Sequence, residues 1–134
     1  NCKVSGRIIG GNLSVLYSLL GSESFTQTDD LILLIEDLDE YLYHIDRMMQ
    51  AFKRAGKLKN LKALLVGAMT QMHDNTIPFG KTAYQIIEET VKQYNYPKIF
   101  GASIGHIEER NNAVIIGGEM EVEVKDNTII TKQL

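Results

Sequence analysis

Tryptophan is absent from this 134-residue chain, cysteine occurs once, proline occurs twice, and no apolar run approaches the length of a membrane span. Each shortage closes off a class of protein. One thiol, Cys2, forms no internal disulfide, so a reducing compartment is permitted and no disulfide scaffold carries the fold. Lying next to a chain end with no histidine near it in sequence, Cys2 reads as a packed or disordered thiol rather than a nucleophile. There is no stretch of roughly 18 to 20 apolar residues and no charged-then-apolar start, so neither a membrane span nor a signal peptide is expected. His44-x-Asp46 and His73-Asp74 supply metal-ligand types. The spacings of a zinc site, His-Glu-x-x-His or paired cysteines, are missing, so neither metal nor cofactor is expected. The net charge is -3, and the basic residues scatter apart from Lys53, Arg54, Lys57, Lys59 and Lys62. That group spans a helix end and the following turn, where cations complement the helix dipole; it reads as a solvated face, and no nucleic-acid partner is expected.

What is present is an ordinary globular composition, 44% apolar and 23% charged, on a chain long enough for one domain, residues 1–134, with a real core. The chain opens Asn1-Cys2-Lys3 without an initiator methionine and runs at once into a strand-like segment, which reads as a piece of something longer.

Along the chain, a strand is expected over Val4–Ile9, ending in a Gly10-Gly11 turn, with Asn12 as N-cap of a helix over Leu13–Leu20 that stops at Gly21. After a polar loop over Ser22–Asp30, the run Leu31–Glu36 is too short for a helix and fits a strand buried on both faces. A helix over Tyr41–Ala55 carries Leu42, Ile45, Met49 and Phe52 on one stripe and ends at Gly56. Lys62–Met69 is a second buried strand, and Thr82-x-x-Gln85 forms a capping box for a helix to Tyr94. Beyond Pro97, strands are expected at Ile99–Ala102, Ala113–Ile116, Met120–Lys125 and Thr128–Lys132, the last two joined through Asp126-Asn127 as a two-residue hairpin turn. Strands separated by helices and closed by an antiparallel hairpin make an α/β domain with a mixed sheet.

Two residues carry the chemistry. Glu36 is expected to close its strand, and His106 lies in a loop after another strand; in α/β sheets the loops at strand ends gather into sites. A carboxylate that orients an imidazole, and an imidazole that takes a hydroxyl proton, are two parts of a hydrolytic triad. The bland alternative is an exposed loop histidine and a solvated acid. None of Ser5, Ser14, Ser18, Ser22, Ser24 and Ser103 sits in a Gly-x-Ser-x-Gly elbow, so the nucleophile is not expected within the chain. Asp46 and Arg47 are expected to serve a structural ion pair that holds their helix against a loop, Asp37 to support Glu36, and His44 and His73 to be exposed.

The runs Gly10-Gly11-Asn12-Leu13, Leu33-Leu34-Ile35-Glu36-Asp37, Tyr43-His44-Ile45-Asp46-Arg47-Met48, and Gly105-His106 with Asn111 and Gly117 beyond, together resemble the C-terminal half of the LD-carboxypeptidase family. These are bacterial serine peptidases of cell-wall recycling, related to the microcin C self-immunity peptidases. The likeness runs from Gly6 to about Thr131. It implies a swivelling β/β/α-type domain with a mixed sheet or partly open barrel, and a Ser-His-Glu triad to which this chain gives Glu36 and His106. It also implies that the serine belongs to an N-terminal domain absent from this chain. That domain and a muropeptide substrate are the implied partners, the implied location is the cytoplasm, and edge strands left exposed allow a homodimer.

The resemblance places Gly11 and Asn12 at the cleft that holds substrate. Asn12 as an N-cap competes with that role. Where the resembled proteins have a proline-containing lead into the glycine, this chain has Ala113-Val114-Ile115-Ile116, and the loop Ile107-Glu108-Glu109-Arg110 is unusually charged, departures that bear on which peptide is accepted. The expected activity is removal of the terminal D-alanine from murein tetrapeptides, the isolated chain being inactive. The alternatives are half of a peptidase cleaving a peptide–nucleotide antibiotic and a non-catalytic binding or scaffold domain.

Overall fold

The computed structural model describes residues 1–25 and 27–134; the loop expected over Ser22–Asp30 includes Thr26, which lies outside the described residues. Along the chain run β1 (Cys2–Asn12), α1 (Leu13–Ser18), β2 (Ile32–Leu38), α2 (Leu42–Arg54), β3 (Ala63–Thr70), α3 (Ala83–Val91), β4 (Lys98–Phe100), β5 (Glu119–Lys125) and β6 (Thr128–Gln133). They form one six-stranded mixed sheet in the order β4-β3-β2-β1-β5-β6. Strands β1 to β4 pair in parallel, while β5 runs antiparallel to β1 and β6 antiparallel to β5.

Successive strand residues face opposite sides of a sheet, and here both sides are covered, which is why the central strands read as unbroken apolar runs. Leu33, Ile35, Leu64 and Val66 face the helices and pack with Ile45, Met48, Met49 and Phe52 of α2 and with Ile86 and Ile87 of α3. Ile32, Leu34, Ala63 and Leu65 face the other way and meet Ile99 of β4 together with Met120 and Val122 of β5. Since β4 and β5 lie far apart in strand order, their meeting in one cluster requires the sheet to curl, and the result is a half-barrel. The closing hairpin turns through Asp126 and Asn127, both at positive φ (48° and 62°), as a two-residue turn matched to the strand twist demands. No helix among the described residues is long and apolar enough to cross a membrane.

Four expectations are corrected. Gly10 and Gly11 are not a turn: they stay in β1 at φ 122° and 143°, paired with Leu34 and Ile35 of β2. At Gly10 a Cβ would run into the Leu34 carbonyl oxygen, so glycine serves close strand approach. Helix α1 ends at Ser18 because Leu19 and Leu20 tighten onto the carbonyls of Leu16 and Tyr17, one residue short of the α repeat. Helix α3 ends at Val91, with Thr82 and Gln85 making the anticipated reciprocal capping box. Residues 113–116 form no strand. The Ile8 backbone that would have paired with a strand there bonds instead to Gly117 and Gly118 (2.7 and 3.0 Å), leaving Ile115 and Ile116 exposed.

Candidate active site

Glu36 does not close β2. The strand continues to Leu38, and Glu36 sits inside it, buried. Its place is made by a fault in the neighbouring strand. Ile35 pairs with Val66 but Asp37 with Met69, so two steps on β2 span three on β3, a bulge at Gly67-Ala68 beside Glu36. A Cβ on Gly67 would collide with the Ile104 carbonyl oxygen and stand 3.2 Å from the Glu36 Cβ. That carbonyl accepts from the Ala68 N–H at 2.8 Å, which ties the bulge to the loop leading into His106. The Gly67 carbonyl is held in turn by the Tyr84 hydroxyl at 2.9 Å, and burial pushes the Tyr84 phenol above its ordinary 10.0, keeping it a protonated donor. On the other side, Gly105 lies at φ 124°, and a Cβ there would fall 2.7 Å from Glu36 Oε2. Two glycines therefore clear the space into which the carboxylate fits.

Into that space comes His106, seventy residues further along the chain, with Nδ1 2.8 Å from Glu36 Oε2. The burial is lopsided: the glutamate side chain is 8% exposed and the imidazole 51%. A carboxylate accepting at Nδ1 holds the ring proton there and leaves the Nε2 lone pair outward, the tautomer a general base needs. Among the described residues no hydroxyl bonds to the His106 ring. The serines that make side-chain bonds use them elsewhere: Ser5 on Glu121, Ser14 on Asn12, Ser18 on the Val15 carbonyl and Ser22 on the Leu19 carbonyl.

Asn12 stands directly across the sheet from Glu36, and Gly11 across from Ile35, so the residues assigned to substrate lie at the same end of the sheet as the pair. The Asn12 side chain is committed to structure: its oxygen accepts from the Val15 N–H (3.1 Å) and the Ser14 hydroxyl (2.8 Å), and its Nδ2 donates to Asp37 (2.9 Å). Asp37, expected to support Glu36, points to the opposite face and takes the Ser14 N–H (2.9 Å) and its neighbour Leu38 N–H (2.8 Å), anchoring the start of α1 to β2. The ion pair expected of Asp46 and Arg47, holding α2 against a loop, does not form among the described residues. Adjacent helical residues diverge, and Asp46 accepts weakly from Gln50 (3.4 Å) while Arg47 lies over the Tyr43 ring (5.3 Å). His44 is half-buried, 2.7 Å from Glu40 one turn earlier, whereas His73 is exposed and bonds to Asp39. Lys57 is more than a solvated cation: it donates to the Phe25 carbonyl at 3.1 Å and covers the Phe25 ring.

The motif quoted around His106 includes Gly105 and Asn111 without a role for either, and no motif includes Gly67 or Thr70. A lone glycine in an otherwise apolar strand was the legible signal, since it marks a bulge or close backbone approach.

The family model described as LD-carboxypeptidase C-terminal domain matches residues 5–122. A probable murein peptide carboxypeptidase of Bacillus subtilis is 33% identical over 132 residues, covering 96% of this chain and 40% of that protein. A putative carboxypeptidase of Synechocystis is 26% identical over 125 residues, covering 92% of the chain and 41% of its own length. Among solved structures, muramoyltetrapeptide carboxypeptidase from Oxalobacter formigenes superposes with a TM-score of 0.86 at 24% identity, over 98% of this chain and 46% of that one. The microcin C7 self immunity protein MccF superposes at 0.82 with 23% identity, over 98% and 39%, a likeness of fold. The chain thus spans less than half the length of the relatives it matches.

Proposed function

The chain belongs to the LD-carboxypeptidase C-terminal domain family, and from that premise we propose that it supplies the histidine and glutamate of a serine carboxypeptidase acting on murein tetrapeptides in the bacterial cytoplasm. The observation that carries the reading is the contact, at 2.8 Å, of Nδ1 of a half-exposed His106 with a buried Glu36. The nucleophilic serine comes from a preceding domain of the same protein, in keeping with relatives more than twice this chain's length. Its hydroxyl oxygen attacks the carbonyl carbon of the terminal peptide bond while His106 Nε2 takes the proton. As the tetrahedral intermediate collapses the C–N bond breaks, and His106 returns the proton to the departing amine of D-alanine. Water then attacks the acyl-enzyme by the same route and frees the shortened peptide and the serine. Glu36 fixes the ring tautomer and stabilises the imidazolium formed in each half-reaction. Gly11 and Asn12 form the substrate-facing end of β1.

The test is release of D-alanine from a murein tetrapeptide by the full-length protein. His106→Ala and Glu36→Gln are each expected to lower kcat/KM by about 10³- to 10⁴-fold. Wild-type turnover in both variants would remove the reading and leave a binding or scaffold role. Preference for a peptide–nucleotide conjugate over the tetrapeptide would move the chain to the immunity-peptidase alternative. The 134-residue chain by itself is expected to hydrolyse neither.

A further inference from the structure

The loop that delivers His106 is held by groups with no place in the triad. The Asn111 carboxamide pairs with both polar atoms of one peptide residue: its Oδ1 accepts from the Gly105 N–H at 3.2 Å and its Nδ2 donates to the Gly105 carbonyl at 2.7 Å. This is a side-chain imitation of a strand pairing, and it grips the residue before the histidine. On the far side, the Thr70 hydroxyl at the end of β3 donates to the His106 carbonyl at 3.0 Å. Arg110 adopts a positive φ of 54°, turning the chain back so that Asn111 meets Gly105, and the Asn112 N–H closes the loop on the Ser103 carbonyl at 2.7 Å.

The geometry points to Asn111, with Thr70 opposite, as a positioning residue that sets the His106 imidazole against Glu36. This rests on the triad reading above. The physical case is one of restraint. Gly105 at φ 124° is a residue whose backbone is free to leave that conformation, and the imidazole is half exposed. A buried carboxylate cannot follow a ring that drifts away, so the contact survives only if the backbone before and after the ring is pinned. Asn111 pins the residue before it and Thr70 its own carbonyl. Both act through peptide groups, so the effect belongs in the chemical step rather than in substrate affinity.

In the full-length protein, Asn111→Ala is expected to lower kcat between about 10- and 100-fold with KM little changed. It should also broaden or abolish the low-field proton resonance of His106 Nδ1–H, identified by its loss in His106→Ala, without shifting the unfolding midpoint. Asn111→Asp is expected to fail as a rescue, because its second oxygen faces the Gly105 carbonyl. Thr70→Val, which keeps the shape and removes the hydroxyl, should change kcat and the resonance in the same direction. Unchanged kcat and an unchanged resonance in Asn111→Ala and Thr70→Val, beside an inactive His106→Ala, would overturn the assignment while leaving the triad reading intact. Full turnover in His106→Ala would overturn both.

Discussion

Glu36–His106 and Asp39–His73 are the same chemical pair in two settings, and the settings separate a site from a surface contact. In the first, the acid is 8% exposed in a space cleared by Gly67 and Gly105, and its partner, a ring 51% exposed, arrives from seventy residues away. In the second, acid and imidazole are 65% and 48% exposed and join two neighbouring loops already zipped by backbone bonds, His73 N–H to the Glu40 carbonyl and Leu42 N–H to the His73 carbonyl. Water competes freely for the second pair and hardly at all for the buried acid of the first, so the same contact fixes a ring against the sheet in one place and decorates a loop in the other. Asp37 adds a third case, a carboxylate as buried as Glu36 whose oxygens are consumed by the start of α1. Burial alone does not set Glu36 apart; its partner is a ring with a second nitrogen, whereas the partners of Asp37 are backbone and amide N–H groups with no such second function.

The comparison is sharpest in turnover. Where His106→Ala removes D-alanine release, His73→Ala should leave it at the wild-type level, and equal loss in both would erase the distinction. Next in size is the carved space itself: Gly67→Ala sets a Cβ against the Ile104 carbonyl, a backbone group that cannot rotate away, and should cost about 3 kcal/mol of stability in urea unfolding. Asp37→Asn replaces an oxygen that accepts N–H groups with a group that donates, and should destabilise by about 1 to 3 kcal/mol without a matching loss of kcat in the protein that remains folded. Smallest is Asp39→Ala, expected to change the same unfolding free energy by less than about 1 kcal/mol, as for other exposed ion pairs. A larger loss there would show the two loops depend on the pair more than its exposure suggests.

Much of the architecture was legible because its signals are local. The unbroken apolar runs of β2 and β3, the stripe on α2, the Thr82–Gln85 box and the Asp126-Asn127 turn each follow from a few adjacent residues, and each appears within two residues of its expected bounds. The errors came where a distant partner decides. Ala113–Ile116 is apolar enough for a strand, but Ile8 bonds to the turn that follows it. Gly10-Gly11 looks like a turn until Leu34 lies alongside. Asp46 and Arg47 are adjacent in sequence, and the helix sends them apart.

By itself, the order of residues determined which segments bury a face and which amino acids have the chemistry of an acid and a base, because hydrophobic period and side-chain type are properties of short stretches. Only tertiary structure decided that Glu36 lies within its strand rather than at the end, that a bulge at Gly67 and a left-handed Gly105 open room for it, and that His106 reaches it with one nitrogen to spare. Those outcomes depend on contacts between segments tens of residues apart, and their geometry exists only once the sheet has curled and its loops have met.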